Sequence, residues 1–395
     1  MSSIILKNGR EKSLARRHPW IFSGAVTKVE DLAGPGETVE IRSGDGTWLA
    51  RGAYSPHSQI IARVWTFDPE EDISAAFFKT RLAQAIRARR GGPPGEPRTA
   101  CRLVNAESDA LPGLIVDRYG DYLVCQFLAA GVERWRADLV AQLAQLVPCA
   151  GIYERSDAGV RTKEGLPHRT GVLYGQPPPD LLEIQEGRSR FLVDVRHGHK
   201  TGFYLDQREN RMLVADWAEG AEVLNAFAYT GGFGLWALMG GAAQVVNVDS
   251  SVAALELLRR HVLLNGLDPS RVENLAGDAF QLLRRFRDSG RQFDLIILDP
   301  PKFAESRRQL ARSGRGYKDI NLLAFKLLRP GGLLFTFSCS GLVSMELFQK
   351  FVADAALDAG RTAQIVRRLG QPDDHPTALN FPEGTYLKGL VCRVI

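Results

Sequence analysis

Residues 223–249 read VLNAFAYTGGFGLWALMGGAAQVVNVD. This stretch predicts a buried strand, a glycine turn, a helix and a second apolar strand that ends on Asp249. Gly231, Gly232 and Gly234 have no Cβ, so backbone N–H groups in the turn can approach a ligand closely. A carboxylate one βαβ unit further on, here Asp249, can accept hydrogen bonds from ribose hydroxyls. The stretch therefore predicts a site for an adenosine-containing cofactor, and by itself it does not select which one.

The bulk composition bounds the class of protein. A chain of 395 residues is too long for one ordinary core, so we expect two or three domains. Hydrophobic residues make up 45% and charged residues 24%, which is typical of a soluble globular protein. The longest apolar runs are strand-sized, and the N-terminus lacks the apolar length of a secretory signal. We therefore expect a cytoplasmic protein with no membrane partner.

Charge and cysteine usage narrow the range of partners. The net charge of +5 permits a nucleic-acid partner without requiring one. The chain has five cysteines, and they show neither a CxxC pair nor a cluster with histidine. Neither a zinc site nor a disulfide framework is therefore predicted, and we expect no metal.

Residues 1–75 are predicted to form a small β domain. Strand signals lie at 38–41, 48–54 and 60–65, and turn residues separate them. The preceding segment is basic, with Arg16 and Arg17 directly before the aromatic run HPWIF. Interleaved cations and aromatics suit phosphate contact and base stacking, but a solvated basic face over a buried Trp explains the pattern equally well.

A second unit follows over residues 76–186, with a linker helix that we predict from 73 to 90. The Gly/Pro stretch GGPPGEP at 91–97 ends that helix and marks a boundary. Strand signals and a helix then alternate, which favours a small central α/β domain. The charged stretch at 154–166 is interpreted as a surface loop.

Residues 187–395 show a regular alternation of apolar strands and amphipathic helices. This rhythm predicts a Rossmann-like domain with a mainly parallel seven-stranded sheet, and the chain as a whole is predicted to be multidomain α/β. The seven strands are expected at 222–226, 244–248, 272–275, 294–298, 332–337, near 362–368 and near 386–393.

Further acidic residues stand where strands of this sheet are predicted to end. Asp278 and Asp299 join Asp249 at this edge, where ligands of such sheets bind. Asp278 could instead be a helix N-cap, and Asp299 a turn former. The turn TGGFG lacks the GxGxxG spacing of a dinucleotide site. S-adenosylmethionine (SAM) fits better, because it has a nucleoside and an amino-acid tail but no pyrophosphate.

These motifs together resemble a known family. The runs NAFAYTGGFG, GDAF, LDPPKF and FSCSG are similar to those of class I SAM-dependent RNA methyltransferases. FYLDQR, ERSD and QPDDHPTALNFPEGTYLKG extend the resemblance over nearly the full chain to the large-subunit (23S) rRNA cytosine-C5 methyltransferase family with an N-terminal PUA domain. The resemblance implies a PUA-like RNA-binding domain over 1–75, a central α/β domain over 76–186 and a SAM-dependent methyltransferase domain over 187–395.

The resemblance also implies roles for individual residues. Tyr204, Gln207 and Arg208 would help to close over SAM. The other cofactor-binding residues would be Asn225, Phe227, Tyr229, Thr230 and Gly231 under the methionine moiety, Asp249 at the ribose, Asp278 and Ala279 at the adenine, and Asp299 near the transferred methyl group.

Cys339 is the candidate nucleophile. Cytosine C5 is too weak a nucleophile to attack a methylsulfonium directly, but a thiolate that adds to C6 makes C5 enamine-like. Cys339 follows the predicted strand LLFTFS, which places it at the cofactor edge of the sheet. A buried cysteine at a strand end is the alternative interpretation.

One departure from the better-known cytosine-C5 enzymes keeps alternatives open. The motif after the fourth strand reads DPPK and has no second cysteine, so Asp299 is only a candidate for the base that removes the C5 proton. A DPP motif also occurs in enzymes that methylate exocyclic amines, so methylation of a guanine in rRNA is the main alternative. A non-catalytic RNA-binding scaffold is a third hypothesis.

The basic stretch 302–318 is predicted to be a flexible loop that contacts RNA phosphates beside the active site. A solvated surface loop would also explain its charge. The large-subunit rRNA is thus the expected partner, and a homodimer is left open. The candidate RNA-binding residues are Arg16, Arg17, Lys302, Arg307, Arg308 and Arg315.

Overall fold

The computed structural model describes residues 2–31, 33–89, 98–303 and 309–395. The chain divides into two compact units and alternates between them along its length. Unit 1 comprises Met1–Gln185, Val193–Leu205 and Asp373–Gly384. Unit 2 comprises Glu186–Leu192, Asp206–Pro372 and Thr385–Ile395. The Gly/Pro boundary predicted at 91–97 lies outside the described residues.

Unit 1 begins with a six-stranded sheet in the order β2-β6-β5-β4-β1-β3. Alternate residues such as Ile4, Leu6, Val39 and Ile41 fill its core, as the period of two in strands requires. The three strands predicted from 38 onward are present, and three further strands occupy the basic segment before them. The elements are β1 (Ser3–Leu6), α1 (Lys12–Ala15), β2 (Trp20–Phe22), β3 (Val26–Glu30), β4 (Thr38–Arg42), β5 (Trp48–Tyr54) and β6 (Ile60–Thr66).

A second sheet in unit 1 has the order β11-β10-β9-β8-β7. Its hairpin β8–β9 turns at Gly120, where φ of +58° suits glycine. The elements are α2 (Ala75–Ala88), β7 (Ala100–Asn105), β8 (Leu114–Tyr119), β9 (Tyr122–Phe127), α3 (Ala130–Arg134), α4 (Arg136–Leu146), β10 (Gly151–Ser156), α5 (Val160–Lys163) and β11 (Arg169–Gly175).

The interpretation of residues 154–166 as a surface loop is wrong. Arg161 is fully buried and its guanidinium lies 2.8 Å from Glu133. Glu164 is also buried, and it pairs with Arg63 at 2.9 Å. The prediction failed because most charges of this stretch are buried and paired inside the unit, although Asp157 and Lys163 are exposed.

The segment Asp373–Gly384 belongs to unit 1 although it lies far along the chain. Phe381 packs edge-to-face on Trp20, with ring centroids 4.8 Å apart. Glu383 Oε2 lies 3.1 Å from His18 Nε2, a pair separated by 365 residues in the sequence. This late segment therefore contacts residues beside the N-terminal sheet, although it is made more than 350 positions later in the chain.

β12 (Leu182–Glu186) and β13 (Ser189–Val193) form a separate two-stranded sheet. The remaining elements are α6 (Arg208–Val214), β14 (Glu222–Ala226), α7 (Gly232–Met239), β15 (Gln244–Asp249), α8 (Val252–Leu264), β16 (Val272–Ala276), α9 (Ala279–Asp288), β17 (Phe293–Leu298), α10 (Leu310–Leu327), β18 (Leu328–Ser338), α11 (Met345–Asp358), β19 (Ala363–Leu369) and β20 (Lys388–Val394).

The large sheet of unit 2 has seven strands in the order β16-β15-β14-β17-β18-β20-β19. The first five of these strands pair in parallel, whereas β20 pairs antiparallel with both β18 and β19, so the sheet is mixed. Leu224, Val246 and Ile296 pack into one core with residues of α9, α10 and α11. The alternate residues Asn225 and Asn247 point the other way, toward α7. All seven strands predicted for this region are present.

The basic stretch 302–318 is not a loop throughout. Residues from Leu310 onward belong to the helix α10, and Tyr317 on it is fully buried. The apolar residues Tyr317, Ile320, Ala324 and Leu327 recur with helical spacing, and the high charge of the stretch concealed this pattern. Residues 304–308 lie outside the described residues.

Candidate functional site

The glycine turn between β14 and α7 forms the centre of the site. Phe227, Tyr229 and Gly231 have φ values of +61°, +48° and +81°, in the left-handed region that non-glycine residues rarely adopt. A Cβ on Gly231 would lie 2.2 Å from Leu258 Cγ, so only glycine fits there. Backbone strain of this kind clusters at ligand sites, where the surrounding structure holds it in place.

Asp249 ties this turn to the end of β15. Its Oδ2 accepts a hydrogen bond from Tyr229 N at 2.7 Å, and its Oδ1 accepts one from Ser251 N at 2.8 Å. The backbone carbonyl of Asp249 also accepts from Gly277 N at 2.9 Å, beyond the end of β16. One carboxylate at the carboxyl edge of the sheet thus fixes the turn after β14, and it is half-buried at the place where a ribose would bind.

Three asparagines form a ladder beneath the turn, and the sequence singled out only the first. Asn225, Asn247 and Asn274 lie in register on β14, β15 and β16. Asn225 Nδ2 donates to Asn247 Oδ1 at 2.9 Å, and Asn247 Nδ2 donates to Asn274 Oδ1 at 3.1 Å. A Cβ on Gly234 would lie 2.4 Å from Asn247 Oδ1, so α7 rests directly on the ladder. The ladder fixes the height of the turn above the sheet.

Two polar atoms of the turn region have no partner within the described residues. Asn225 Oδ1 and Thr230 Oγ1 are buried and make no hydrogen bond there. Burying such atoms is costly unless a ligand supplies the partner. The ammonium and carboxylate of an amino-acid tail have the donors and acceptors to do so, and the site therefore fits the methionine end of SAM.

His261 supports the turn from α8. Its Nδ1 donates to the carbonyl of Thr230 at 2.9 Å, since that oxygen can only accept. Its Nε2 then accepts from Leu192 N, also at 2.9 Å. Burial is the main cause that lowers the pKa of His261, so the neutral imidazole is favoured. This histidine was not identified from the sequence, which shows a lone His on a helix.

Asp278 caps the helix α9. Its Oδ1 accepts from Gln281 N at 2.9 Å, and the next residue, Ala279, is buried in the first turn of the helix. The alternative weighed from the sequence, a helix N-cap, is therefore correct for Asp278. The residue is exposed, and its Oδ2 takes no part in the cap, so the carboxylate can still meet a ligand.

The ends of β17 and β18 bring Asp299 and Cys339 to one edge. Leu298 pairs with Thr336, so the segments that follow β17 and β18 leave the sheet side by side. Ser338 Oγ donates to Tyr317 Oη at 2.8 Å, and the backbone of Phe303 also bonds this hydroxyl. Burial, with the nearby Cys339 and Asp299, raises the pKa of Tyr317 to about 12. Tyr317 thus joins the segment after β17 to the cysteine motif.

Lys388, on β20, is a site residue that the sequence analysis missed. It is 4% exposed and pairs across the sheet with Ser338, the residue before Cys339. Its Nζ donates to the carbonyl of Ser340 at 2.6 Å and to that of Tyr386 at 2.7 Å. Burial lowers the pKa of Lys388 to about 8, with Cys339 opposing and Lys302 adding to the shift.

The three residues expected to close over SAM lie in different surroundings. Gln207 and Arg208 are buried in unit 2, where Gln207 Oε1 accepts from Asn210 Nδ2 at 2.6 Å. Tyr204 belongs to unit 1, where its hydroxyl lies 3.1 Å from His199 Nδ1. Gln207 therefore also has a structural role at the start of α6.

The candidate RNA-binding residues fall into two groups. Arg16 and Arg17 are exposed at the end of α1 in unit 1. Lys302 and Arg315 are exposed in unit 2, before and on α10. Arg307 and Arg308 lie outside the described residues. The described members are thus all solvent-facing cations, as phosphate contacts require.

The described ranges contain neither a candidate metal centre nor a candidate membrane span. No group of three His, Cys, Asp or Glu side chains there could hold a metal ion. None of the described helices is long and apolar enough to cross a membrane.

Comparison with protein families assigns the class. The family model described as S-adenosylmethionine-dependent methyltransferase matches residues 166–393, which is more than half of the chain. A second model, the PUA-like domain, matches residues 4–67. Fold and site therefore define a SAM-dependent methyltransferase with an N-terminal PUA-like domain, and SAM is its cofactor.

Named relatives give the particular family. Ribosomal RNA large subunit methyltransferase I of Aeromonas hydrophila subsp. hydrophila is 58% identical over 394 residues, and the match covers 99% of each chain. The protein of the same name from Tolumonas auensis is 55% identical over 395 residues and covers 100% of both chains. The chain belongs to the ribosomal RNA large subunit methyltransferase I family.

Solved structures show the same fold at lower identity. A candidate SAM-dependent methyltransferase from Streptococcus mutans covers 100% of both chains, with a TM-score of 0.86 and 23% identity. A further candidate methyltransferase, solved in complex with SAH, has a TM-score of 0.88, also at 23% identity and with 100% of both chains covered.

Proposed function

We propose that this protein transfers the methyl group of SAM to C5 of a cytosine in large-subunit rRNA, through a transient bond between Cys339 Sγ and C6. The names of its relatives support the class of substrate. The position of Cys339 carries the choice of atom. Of the five cysteines, all within the described ranges, it alone directly follows a parallel strand at the carboxyl edge of the large sheet. The proposal also places the protein in the cytoplasm, with its rRNA substrate.

The chemistry assigns a step to each group. SAM supplies an electrophilic methyl group on a sulfonium. Cys339 adds as a thiolate to C6, which raises the electron density at C5 so that C5 can take the methyl group. Loss of the C5 proton and cleavage of the C6–S bond then release Cys339. Asp299 is the candidate base for that proton, because it leaves the sheet beside the cysteine motif.

The roles proposed for the cofactor residues follow the site from one end to the other. Asn225 and Thr230 would meet the amino-acid tail through their buried unpartnered oxygens. Asp249 would accept from the ribose hydroxyls, and Asp278 with Ala279 would border the adenine. Phe227, Tyr229 and Gly231 shape the turn, while Gln207, Arg208 and Tyr204 keep their predicted role in closing the site.

The packing of Phe303 favours this reaction over methylation of a guanine amine. An amine methyltransferase of the DPP type needs an aromatic ring after the motif to stack on the base. Here Lys302 takes the expected position and is exposed. The ring of Phe303 packs instead on Tyr317 and Phe280, with centroids 4.7 and 6.0 Å away. A scaffold without activity is disfavoured because the acids expected at the strand ends, Asp249, Asp278 and Asp299, are all retained, and Cys339 is retained with them.

Contact with the RNA is proposed for Arg16 and Arg17 in the PUA-like domain and for Lys302 and Arg315 near the site. Arg307 and Arg308 are part of the same proposal from their sequence alone. Exposed cations that neutralise phosphates make binding weaken as salt rises. The domain limits 1–75, 76–186 and 187–395 also stay predictions.

The test is methylation of rRNA taken from a strain that lacks this protein. The purified protein and SAM should restore one 5-methylcytosine, found by nucleoside mass mapping, and Cys339→Ala should abolish it. Cys149→Ala is the matched control, since Cys149 is half-buried like Cys339 but lies in unit 1. RNA that carries 5-fluorocytosine should trap the wild-type protein covalently, because fluorine cannot leave C5 as a proton does.

Retained methylation in Cys339→Ala would rule out the thiolate mechanism. A methylated guanine as the restored nucleoside would establish the alternative. Absence of SAM binding in calorimetry would support the scaffold hypothesis instead.

A further inference from the structure

Lys388 contacts the backbone of the residues on both sides of Cys339. On one side, β20 pairs with β18 so that Lys388 lies opposite Ser338. On the other side, Lys388 Nζ donates to the carbonyl of Ser340 at 2.6 Å. A second hydrogen bond, to the carbonyl of Tyr386 at 2.7 Å, fixes the amine in place. The side chain therefore ends beside the cysteine loop.

The charge environment of Lys388 points to Cys339 as its ionic partner. Within the described ranges, no carboxylate forms an ion pair with Lys388, although only 4% of the residue is exposed. A buried ammonium without an anion is costly. Cys339 favours the charged amine, and Lys302 opposes it. From the neighbouring elements, Cys339 and Asp299 both act on the hydroxyl of Tyr317 on α10, and each raises the pKa of that hydroxyl.

We propose that Lys388 is a positioning residue that takes the proton of the Cys339 thiol and holds Cys339 as the thiolate. This inference rests on the proposed role of Cys339 as nucleophile. The S–H bond breaks, an N–H bond forms on Lys388, and no electrons are exchanged. Two N–H groups of Lys388 already meet carbonyls, so the third position on Nζ is the one that carries the shared proton. The thiolate that leaves C6 at the end of the reaction returns to the same ammonium.

A purely structural lysine is the competing explanation. Two carbonyl hydrogen bonds would suffice to hold the cysteine loop, and a neutral amide such as Gln could make them. A structural role thus predicts that Gln can replace Lys388 with no change in the ionisation of Cys339. An ionic role predicts that another cation, Arg, can hold Cys339 as the thiolate; the thiol proton then passes to water, because a guanidinium cannot accept it.

The experiment measures the rate at which iodoacetamide alkylates Cys339 as a function of pH. The folded full-length protein is alkylated and then digested, and mass spectrometry of its peptides gives the extent of reaction at each cysteine. Only the thiolate reacts, so the midpoint of the profile reports ionisation. Cys149 is the internal reference, because burial raises its pKa and Lys388 is not among the causes of that shift. In the wild type, Cys339 should react with a midpoint below that of Cys149. In Lys388→Gln the rate of Cys339 at pH 7 should fall about tenfold, as a one-unit shift gives, whereas Lys388→Arg should keep most of it.

Two outcomes would overturn the inference. One is a Cys339 profile in Lys388→Gln that matches the wild type while SAM binding is retained. The other needs no variant: a wild-type midpoint for Cys339 at or above that of Cys149. Failure of the proposed function looks different, because Cys339→Ala would still methylate rRNA while the alkylation profiles kept their dependence on Lys388.

Discussion

Replacement of Gly231 by Ala should damage both stability and cofactor binding. The residue has φ of +81°, and an added Cβ would lie 2.2 Å from Leu258 Cγ and 2.4 Å from its Cδ1. The left-handed conformation costs an L-residue about 1–2 kcal/mol, of which about 0.4–1 kcal/mol is returned through the less flexible unfolded chain. Overpacking against the buried Leu258 adds about 1–3 kcal/mol. We therefore expect Gly231→Ala to lower the free energy of unfolding by about 2–4 kcal/mol.

Gly220→Ala is the matched control for the strain. Gly220 has a similar φ of +68°, but no atom lies within 4 Å of the position its Cβ would take. It precedes β14, at the end of the strand opposite to the turn. This variant should lose about 1 kcal/mol and bind SAM as the wild type does. The difference between the two variants isolates the clash with Leu258.

Urea unfolding gives the two stabilities, and titration calorimetry with SAM gives the affinities. If the displaced turn in Gly231→Ala costs about 1.4 kcal/mol of binding free energy, this variant should bind SAM about tenfold more weakly than the wild type. If Gly231→Ala were no less stable than Gly220→Ala, Leu258 would move aside without cost and the predicted clash would be refuted. If it also bound SAM normally, the turn would not be the cofactor site.

Three further predictions test the supports around the turn. Burial lowers the pKa of His261 below its usual 6.5, so the unfolded state binds more protons below that pH. This contribution to stability is full above about pH 6.5 and is lost as the pH falls, and urea titrations across this range should show a flatter dependence for His261→Gln. Asp278→Ala should cost about 1 kcal/mol through loss of the cap in urea unfolding, whereas Asp278→Asn, which can still cap, should stay close to the wild type. Arg211→Met should cost about 3–5 kcal/mol in the same assay because it strands the carboxylate of Glu186, 2.6 Å away and buried, and adding Glu186→Leu should recover much of the loss.

The strands of the large sheet could be predicted because their signal is local. Each is a short apolar run with turn residues beside it, so 222–226 was predicted with the observed bounds of β14. The small strands β1 to β3 were not predicted, because the cations around them hide the apolar pattern that Ile4 and Leu6 form. The helix α10 was missed for the same reason, since its charge outweighed the helical spacing of its apolar residues.

The supporting residues of the site have no local signal. Asn247 and Asn274 matter because three strands align them with Asn225, and register is a property of the folded sheet. Lys388 opens an apolar strand and would pass for a surface residue. Its position next to Cys339 arises only from antiparallel pairing with Ser338, some fifty positions earlier in the chain.

The pairing of His18 with Glu383 has a consequence for synthesis on the ribosome. The two residues are 365 positions apart, and a ribosome adds about 5–20 residues per second. Glu383 therefore emerges roughly 20–70 s after His18, and Phe381 reaches Trp20 only then. Throughout this interval Trp20 lacks its contact with Phe381, and His18 lacks its contact with Glu383. The contact between Trp20 and Phe381 therefore forms long after the N-terminal strands have been made, and not when the first domain appears.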